Sequence, residues 1–338
     1  MWRANCAGRA RRHLSMLPNK PTVFSPFRWL APSGARARLS TFIFHRVLPQ
    51  PDDLLPGVPD AARFDRILSF IASNFHVLPL ADAAAQLKAG RLPAAAACIT
   101  FDDGYQDNYT IAAPILRRHG LTATFFIATG FIGGGRMWND TVIEAVRGAA
   151  PGELDWRDLG LGLYRLGDAA SRVSAYGDAL TRLKHLEPAV RAERTAEIAH
   201  RGGLSSRSDL MMTREQVVSL REQGMTIGGH TRSHPILRCL PAEQARAEIE
   251  GGRDELAAWL GEAPAVFAYP NGRPGRDYDD RDVDLVRRAG FRAAVSTAPA
   301  AAGARSDLLQ LPRFTPWDRS MPRFAARCAT TLLRRASA

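Results

Sequence analysis

ACITFDDGY, residues 97–105, is a short β-prone run that ends in two adjacent carboxylates and a glycine. Ala97, Cys98 and Ile99 lead in, and Thr100 and Phe101 continue a strand that reads as buried on both faces. Gly104 breaks the run directly after Asp102 and Asp103. Neighbouring side chains on a strand point to opposite faces, so two adjacent acids converge on one site only where the backbone turns. The stretch therefore predicts a strand whose C-terminal edge carries chemistry.

Working outward from it, strand signals recur near 40–45, 123–129, 225–230, 265–270, 293–297 and 308–313. Helical patterns lie between them at 60–74, 81–89, 108–119, 139–147, 213–223, 242–260 and 279–289. Such alternation predicts a parallel α/β architecture. Thr213 three residues before Gln216, and Asp107 ahead of Asn108, read as helix starts. Residues 148–210 offer helices near 169–184 and 187–200 and read as a helical insertion between two strands.

Length and charge set the outer limits. With 338 residues the chain can bury a large core. Eight of its 45 Lys and Arg lie in residues 1–38 and five follow Asp318, while all 34 acids lie between, against 32 basic residues. The basicity thus belongs to two ends, read as a disordered tail over 1–38 and a basic tail over 319–338, around a domain at 39–318. Such tails fit peripheral association with an anionic membrane surface, and no nucleic acid is expected as a partner. Arg and Pro interrupt every apolar run before residue 39, so no secretory leader is expected, and no run reaches the ~18 apolar residues of a spanning helix. The four cysteines show no CxxC spacing, against a disulfide scaffold or zinc ribbon. The expected setting is cytoplasmic, peripheral at the inner membrane.

GGHTRSHP, residues 228–235, follows another strand signal and carries His230 and His234 four apart. On a helical turn that spacing lets two imidazoles reach one metal ion. Gly228 and Gly229 read as freeing the backbone ahead of the pair. A His, His, carboxylate set leaves coordination positions open, as a hydrolytic metal requires, and the second acid is then free to act as general base. The bland alternative is an acid pair that caps the helix near residue 108.

TFDDGY, HTRSHP and then FAYPNG at 267–272, with MWND at 137–140 and LMMTREQ at 210–216, resemble the polysaccharide deacetylases of carbohydrate esterase family four, the NodB-like proteins. The resemblance runs from about Leu39 to Trp317. It implies a distorted (β/α)7 barrel and a divalent metal, zinc before nickel or cobalt, on Asp103, His230 and His234. It also implies Asp102 as general base and removal of an N-acetyl group from an amino-sugar polymer; the expected cytoplasmic setting adds a lipid-linked precursor of that glycan as a candidate substrate. Two departures from the family pattern matter. The motif position that carries a base-orienting Arg in many members reads Ala268, and Arg313 in LPRF is the expected replacement. Tyr269 and Asn271 are the expected oxyanion-side residues, since a backbone donor survives a changed side chain. No histidine follows His234, so the general acid falls to His45 in FIFHRV, as in poly-N-acetylglucosamine deacetylases with rotated motifs. Trp138 is a candidate to stack on a sugar face, with Phe314 and Trp317 as weaker ones. A glycan-binding relic without catalysis, or a hydrolase of another C–N bond, are the alternatives.

Overall fold

The structure, a computed structural model, describes residues 25–316 and 318–334. Residues 1–24 of the expected N-terminal tail, Trp317 and the last four residues lie outside them. Along the chain run α1 (Phe27–Leu30), β1 (Leu39–Phe44), α2 (Ala61–Asn74), β2 (His76–Val77), α3 (Leu80–Lys88), β3 (Ala96–Phe101), α4 (Ala113–Arg118), β4 (Thr124–Ile127), α5 (Trp138–Gly148), β5 (Gly152–Asp155) and β6 (Leu163–Leu166). Then follow α6 (Ala169–Lys184), α7 (Pro188–Arg201), α8 (Arg214–Glu222), β7 (Thr226–Gly229), α9 (Ala242–Leu260), β8 (Val266–Ala268), α10 (Asp280–Arg288), β9 (Ala293–Val295) and α11 (Met321–Leu333).

Apolar runs buried on both faces make parallel strands, and the main sheet takes the order β1-β3-β4-β7-β8-β9, with β2 also paired to β3. All of these pairings are parallel. The expected seventh barrel strand at 308–313 is present only as bridges, Leu311 to Val295 of β9 and Phe314 to Phe42 of β1. Pro312 between them has no N–H to give, which breaks the ladder but leaves the segment spanning the gap. The sheet is thus curled into the (β/α) barrel form, closed by an irregular segment.

Phe101 stacks between Phe44 at 5.3 Å and Phe125 at 4.9 Å, under the helices that cover the sheet. A second cluster joins Ala96, Cys98, Phe126, Val266, Ala268, Val295 and Leu311 from both sides of the ring and fills its interior. Gly228 is required by that packing, because a Cβ there would lie 2.5 Å from the Phe126 ring. Its role is close approach, and not the loosened backbone that the sequence reading assigned to it.

Three further expectations are corrected. Residues 25–38 pack on the barrel: the Phe27 ring lies 4.9 Å from Phe75, and Gly34 N–H donates to the Leu92 carbonyl at 2.9 Å. Residues 321–333 form α11, which buries Phe324, Cys328 and Leu332 at helical spacing. Charge counting overlooked both segments because apolar anchors sit among their arginines. Within the insertion, β5 and β6 form an antiparallel hairpin from Gly152↔Leu166 to Asp155↔Leu163. Only β6 alternates clearly in burial, and β5 is largely exposed, so its apolar pattern was too weak to read. Among the described residues, no helix is long and apolar enough to cross a membrane.

Candidate active site

The C-terminal ends of the strands converge on one cavity of about 310 Å³. His45 follows β1, Asp102 and Asp103 follow β3, His230 follows β7, and Asn271 and Thr297 come from the loops after β8 and β9; all line it. Strand ends are where barrels gather reacting groups.

Asp103 has φ +77° and Gly104 +94°, so the backbone reverses at Asp103 itself and brings both carboxylates to the cavity. Among the described residues, positive φ outside glycine occurs at Ala95, Asp103, Thr231, His234 and Asn271, and all but Ala95 belong to the site or the loop that carries it. Such conformations are costly and persist where the surroundings impose them. LMMTREQ supplies part of that constraint, since Gln106 N–H donates to Leu210 O at 2.7 Å and Met212 N–H to Gly104 O at 3.0 Å.

The Arg313 guanidinium is fully buried and grips Asp102 with two bonds, Nη1 to Oδ1 at 2.7 Å and Nη2 to Oδ2 at 2.8 Å. Its Nε donates to Ser296 O at 3.0 Å and Nη1 also reaches Thr100 Oγ1 at 3.2 Å. Burial pushes the Asp102 carboxyl up, but the Arg313 charge, aided by His230, outweighs it and holds the acid below its ordinary value.

Asp103 Oδ1 lies 3.4 Å from His230 Nε2 and 3.5 Å from His234 Nε2. Ligand atoms of the three residues all fall within 4.8 Å of one another. Asp103 Oδ1 is buried and has no hydrogen-bond partner among the described residues, as a metal-binding oxygen would be left. His230 Nδ1 meets Ala268 O at 2.7 Å, an interaction that makes Nδ1 the donor and turns the Nε2 lone pair to the cavity. Burial, offset in part by Asp103, depresses His234 to about 4, which keeps its imidazole neutral as a ligand must be. This donor set fits a divalent transition metal ion.

Glu248 of α9 holds the loop between the histidines. Its carboxylate accepts from Arg232 N–H at 2.9 Å, Ser233 N–H at 2.8 Å and Ser233 Oγ at 2.7 Å. Asp107, expected as a helix cap, makes no such bond. Its carboxylate instead accepts from Arg46 Nε at 2.8 Å and Val47 N–H at 3.1 Å, fixing the loop that carries His45. Beneath Asp103, Tyr105 OH donates to Asp140 at 3.0 Å, and Arg46 lies 4.9 Å from the Tyr105 ring.

The walls hold both expected and missed residues. Trp138 and Asn139 of MWND line the cavity. Asn271 lines it too, and its N–H donates to no group among the described residues. Tyr269 does not: its ring stacks on Tyr278 at 3.8 Å inside the core and its N–H is used by Val295 O. Strand alternation explains this, since Tyr269 shares the face of Phe267, 5.3 Å away in the same cluster. Phe314 is buried in the core, outside the cavity. Sequence reading missed Leu180, Thr181 and Lys184 of α6, which close the cavity from the insertion. Buried Arg191 of α7 ties these walls together, donating to Lys184 O at 3.1 Å and lying 5.1 Å from the Trp138 ring.

A family model described as polysaccharide deacetylase matches residues 89–153 and 189–294. YxkH of Bacillus subtilis (strain 168) is 21% identical over 215 residues, 64% of this chain, and the match spans about half, 49%, of that protein. Among solved structures, the Streptococcus pyogenes deacetylase PplD in complex with acetate is similar at TM-score 0.59 and 19% identity, over 87% of this chain and 98% of that one. IcaB from Ammonifex degensii is similar at TM-score 0.56 and 18% identity, over 90% and 99%. Both share the fold.

Proposed function

The chain belongs to the polysaccharide deacetylase family, and on that premise we propose that it hydrolyses N-acetyl groups of an amino-sugar glycan or of its lipid-linked precursor. The observation that carries this reading is the meeting, in one cavity, of the Asp103, His230 and His234 cluster with an Asp102 clamped by Arg313. Asp103, His230 and His234 would hold the metal, zinc before nickel or cobalt. That ion supplies Lewis acidity toward water and the acetamido carbonyl.

Asp102, kept ionised and oriented by Arg313, accepts a proton from the attacking water at a carboxylate oxygen. Water oxygen bonds to the acetamido carbon, and the Asn271 N–H is placed to donate to the oxyanion that develops. As the C–N bond breaks, the electron pair stays on the amine nitrogen and His45 delivers a proton there, leaving acetate and a free amine. The Trp138 ring offers a face for the sugar. A binding-only relic would have no use for the Asp102–Arg313 clamp. Acetate release from N-acetylglucosamine oligomers by metal-loaded protein, abolished by chelator and restored by metal, tests the reading; metal-loaded protein that releases none would refute it.

We also propose a peripheral place at an anionic inner-leaflet surface. Trp29 of α1 is 87% exposed and Leu333 of α11 is 66% exposed, on two helices that touch; directly after α11, Arg334 O accepts from Arg38 Nη1 at 3.1 Å. Arg28 precedes Trp29, Arg334 follows Leu333, and neither terminal stretch has an acid, a combination suited to anionic lipid. Sedimentation with phosphatidylglycerol vesicles should fall for Trp29→Ala. Equal sedimentation of both proteins would refute it.

A further inference from the structure

Residues 154–188, which the family match leaves out, include α6 and so the wall formed by Leu180, Thr181 and Lys184. Lys184 is half-buried, lines the cavity and makes no ion pair among the described residues. The loop after β8 lies beside it: Arg276 Nη2 meets His185 Nε2 at 3.1 Å, and both Arg273 and Arg276 act electrostatically on Lys184. Neither arginine is ion-paired among the described residues, and both are exposed. Asp277 is the acid that acts on Lys184, and its carboxylate already accepts from Arg273 N–H at 3.0 Å. The cations Lys184, Arg273 and Arg276 therefore outnumber the one acid, Asp277, on this side of the mouth, and Lys184 makes no contact ion pair with it.

A cation held half out of water with two like charges beside it and no acid in contact is costly, and a ligand that brings an anion offsets that cost. The cavity already has polar groups for the acetamido end of a substrate, so the anion belongs to a neighbouring part of the same molecule. We propose that Lys184, with Arg273 and Arg276, forms an anion subsite that selects a glycan bearing a negatively charged group, carboxylate or phosphoryl, next to the N-acetylated sugar. This rests on the deacetylase reading and adds the charge of the substrate to it. Arg191, by fixing Lys184 O and the Trp138 ring, is a positioning residue that keeps this wall preformed.

The test is equilibrium binding of three N-acetylated disaccharides, one neutral, one with a uronic acid and one with a phosphoryl group, to the full chain. Wild type should bind at least one charged ligand ~10-fold more tightly than the neutral one, the larger advantage identifying the source. Lys184→Gln and, independently, the exposed Arg276→Gln should reduce that advantage, and Arg276→Gln, which lies outside the cavity lining, should leave neutral-ligand binding within about twofold. Equal binding of all three ligands to wild type, or an Arg276→Gln protein that weakens all three alike, would overturn the subsite. Acetate release is followed in parallel: a charge preference without acetate release would sink the deacetylase reading and leave the anion subsite standing.

Discussion

Arg313 and Asp102, 211 residues apart in sequence, form a two-pronged ion pair at 2.7 and 2.8 Å with both side chains almost wholly removed from solvent. Removing the guanidinium strands a buried carboxylate. Arg313→Ala should therefore destabilise the protein by about 3–5 kcal/mol. Because Asp102 has a depressed folded pKa, the pair contributes above the unfolded carboxylate value of ~3.9 and its contribution is lost as pH falls through the folded pKa. Urea midpoints of wild type and variant should converge at acid pH. A gap that stayed constant down to pH 3 would show that the pair is not the cause.

The reach of the sequence is visible in these two residues. Asp102 was legible because strand, acids and glycine are contiguous; Arg313 was legible as the cation at a strand end that could replace the base-orienting Arg, and the fold supplies the two bonds that join it to Asp102. Tyr269 failed because a motif position was read without its strand parity, which the neighbouring Phe267 carried. Glu248 could not be singled out, since α9 carries several acids on a helix that reads as a solvated face. Lys184 and Thr181 became site residues only when the insertion folded back over the barrel, a tertiary event with no local signature.

Glu248 accepts three hydrogen bonds from the loop that spaces the two histidines. Glu248→Ala should weaken metal affinity ~10- to 100-fold, the range for supports of metal ligands. Competition with a chelator measures it. Unchanged affinity would mean that the loop holds the two histidines without Glu248.

Asp140 shows a different pH signature. Burial, with help from Asp103 and Glu144 and against Arg46 and Tyr105, pushes its carboxyl up to about 7. A raised folded pKa contributes stability below the unfolded value, lost as pH rises through about 7. Asp140→Asn, measured in metal-free protein, should flatten the decline in stability between pH ~4 and 7 and be more stable than wild type at pH 8. Parallel stability curves for the two proteins would reject this.

His45 lines the cavity from the end of β1, outside the stretches that match the family model. If it protonates the leaving amine, His45→Ala keeps its metal and loses ~10²- to 10⁴-fold in rate, and the basic limb of the pH–rate profile flattens. Unchanged rate and profile would remove it from the mechanism.

The adjacent acids divide the labour, with Asp103 on the metal and Asp102 on the proton. Metal content and acetate release measured together on Asp102→Asn test this division most directly. Wild-type metal occupancy with turnover lost is the expected outcome, because an amide cannot accept the proton from water. A metal-free Asp102→Asn protein, or one that kept its metal and its turnover, would contradict it.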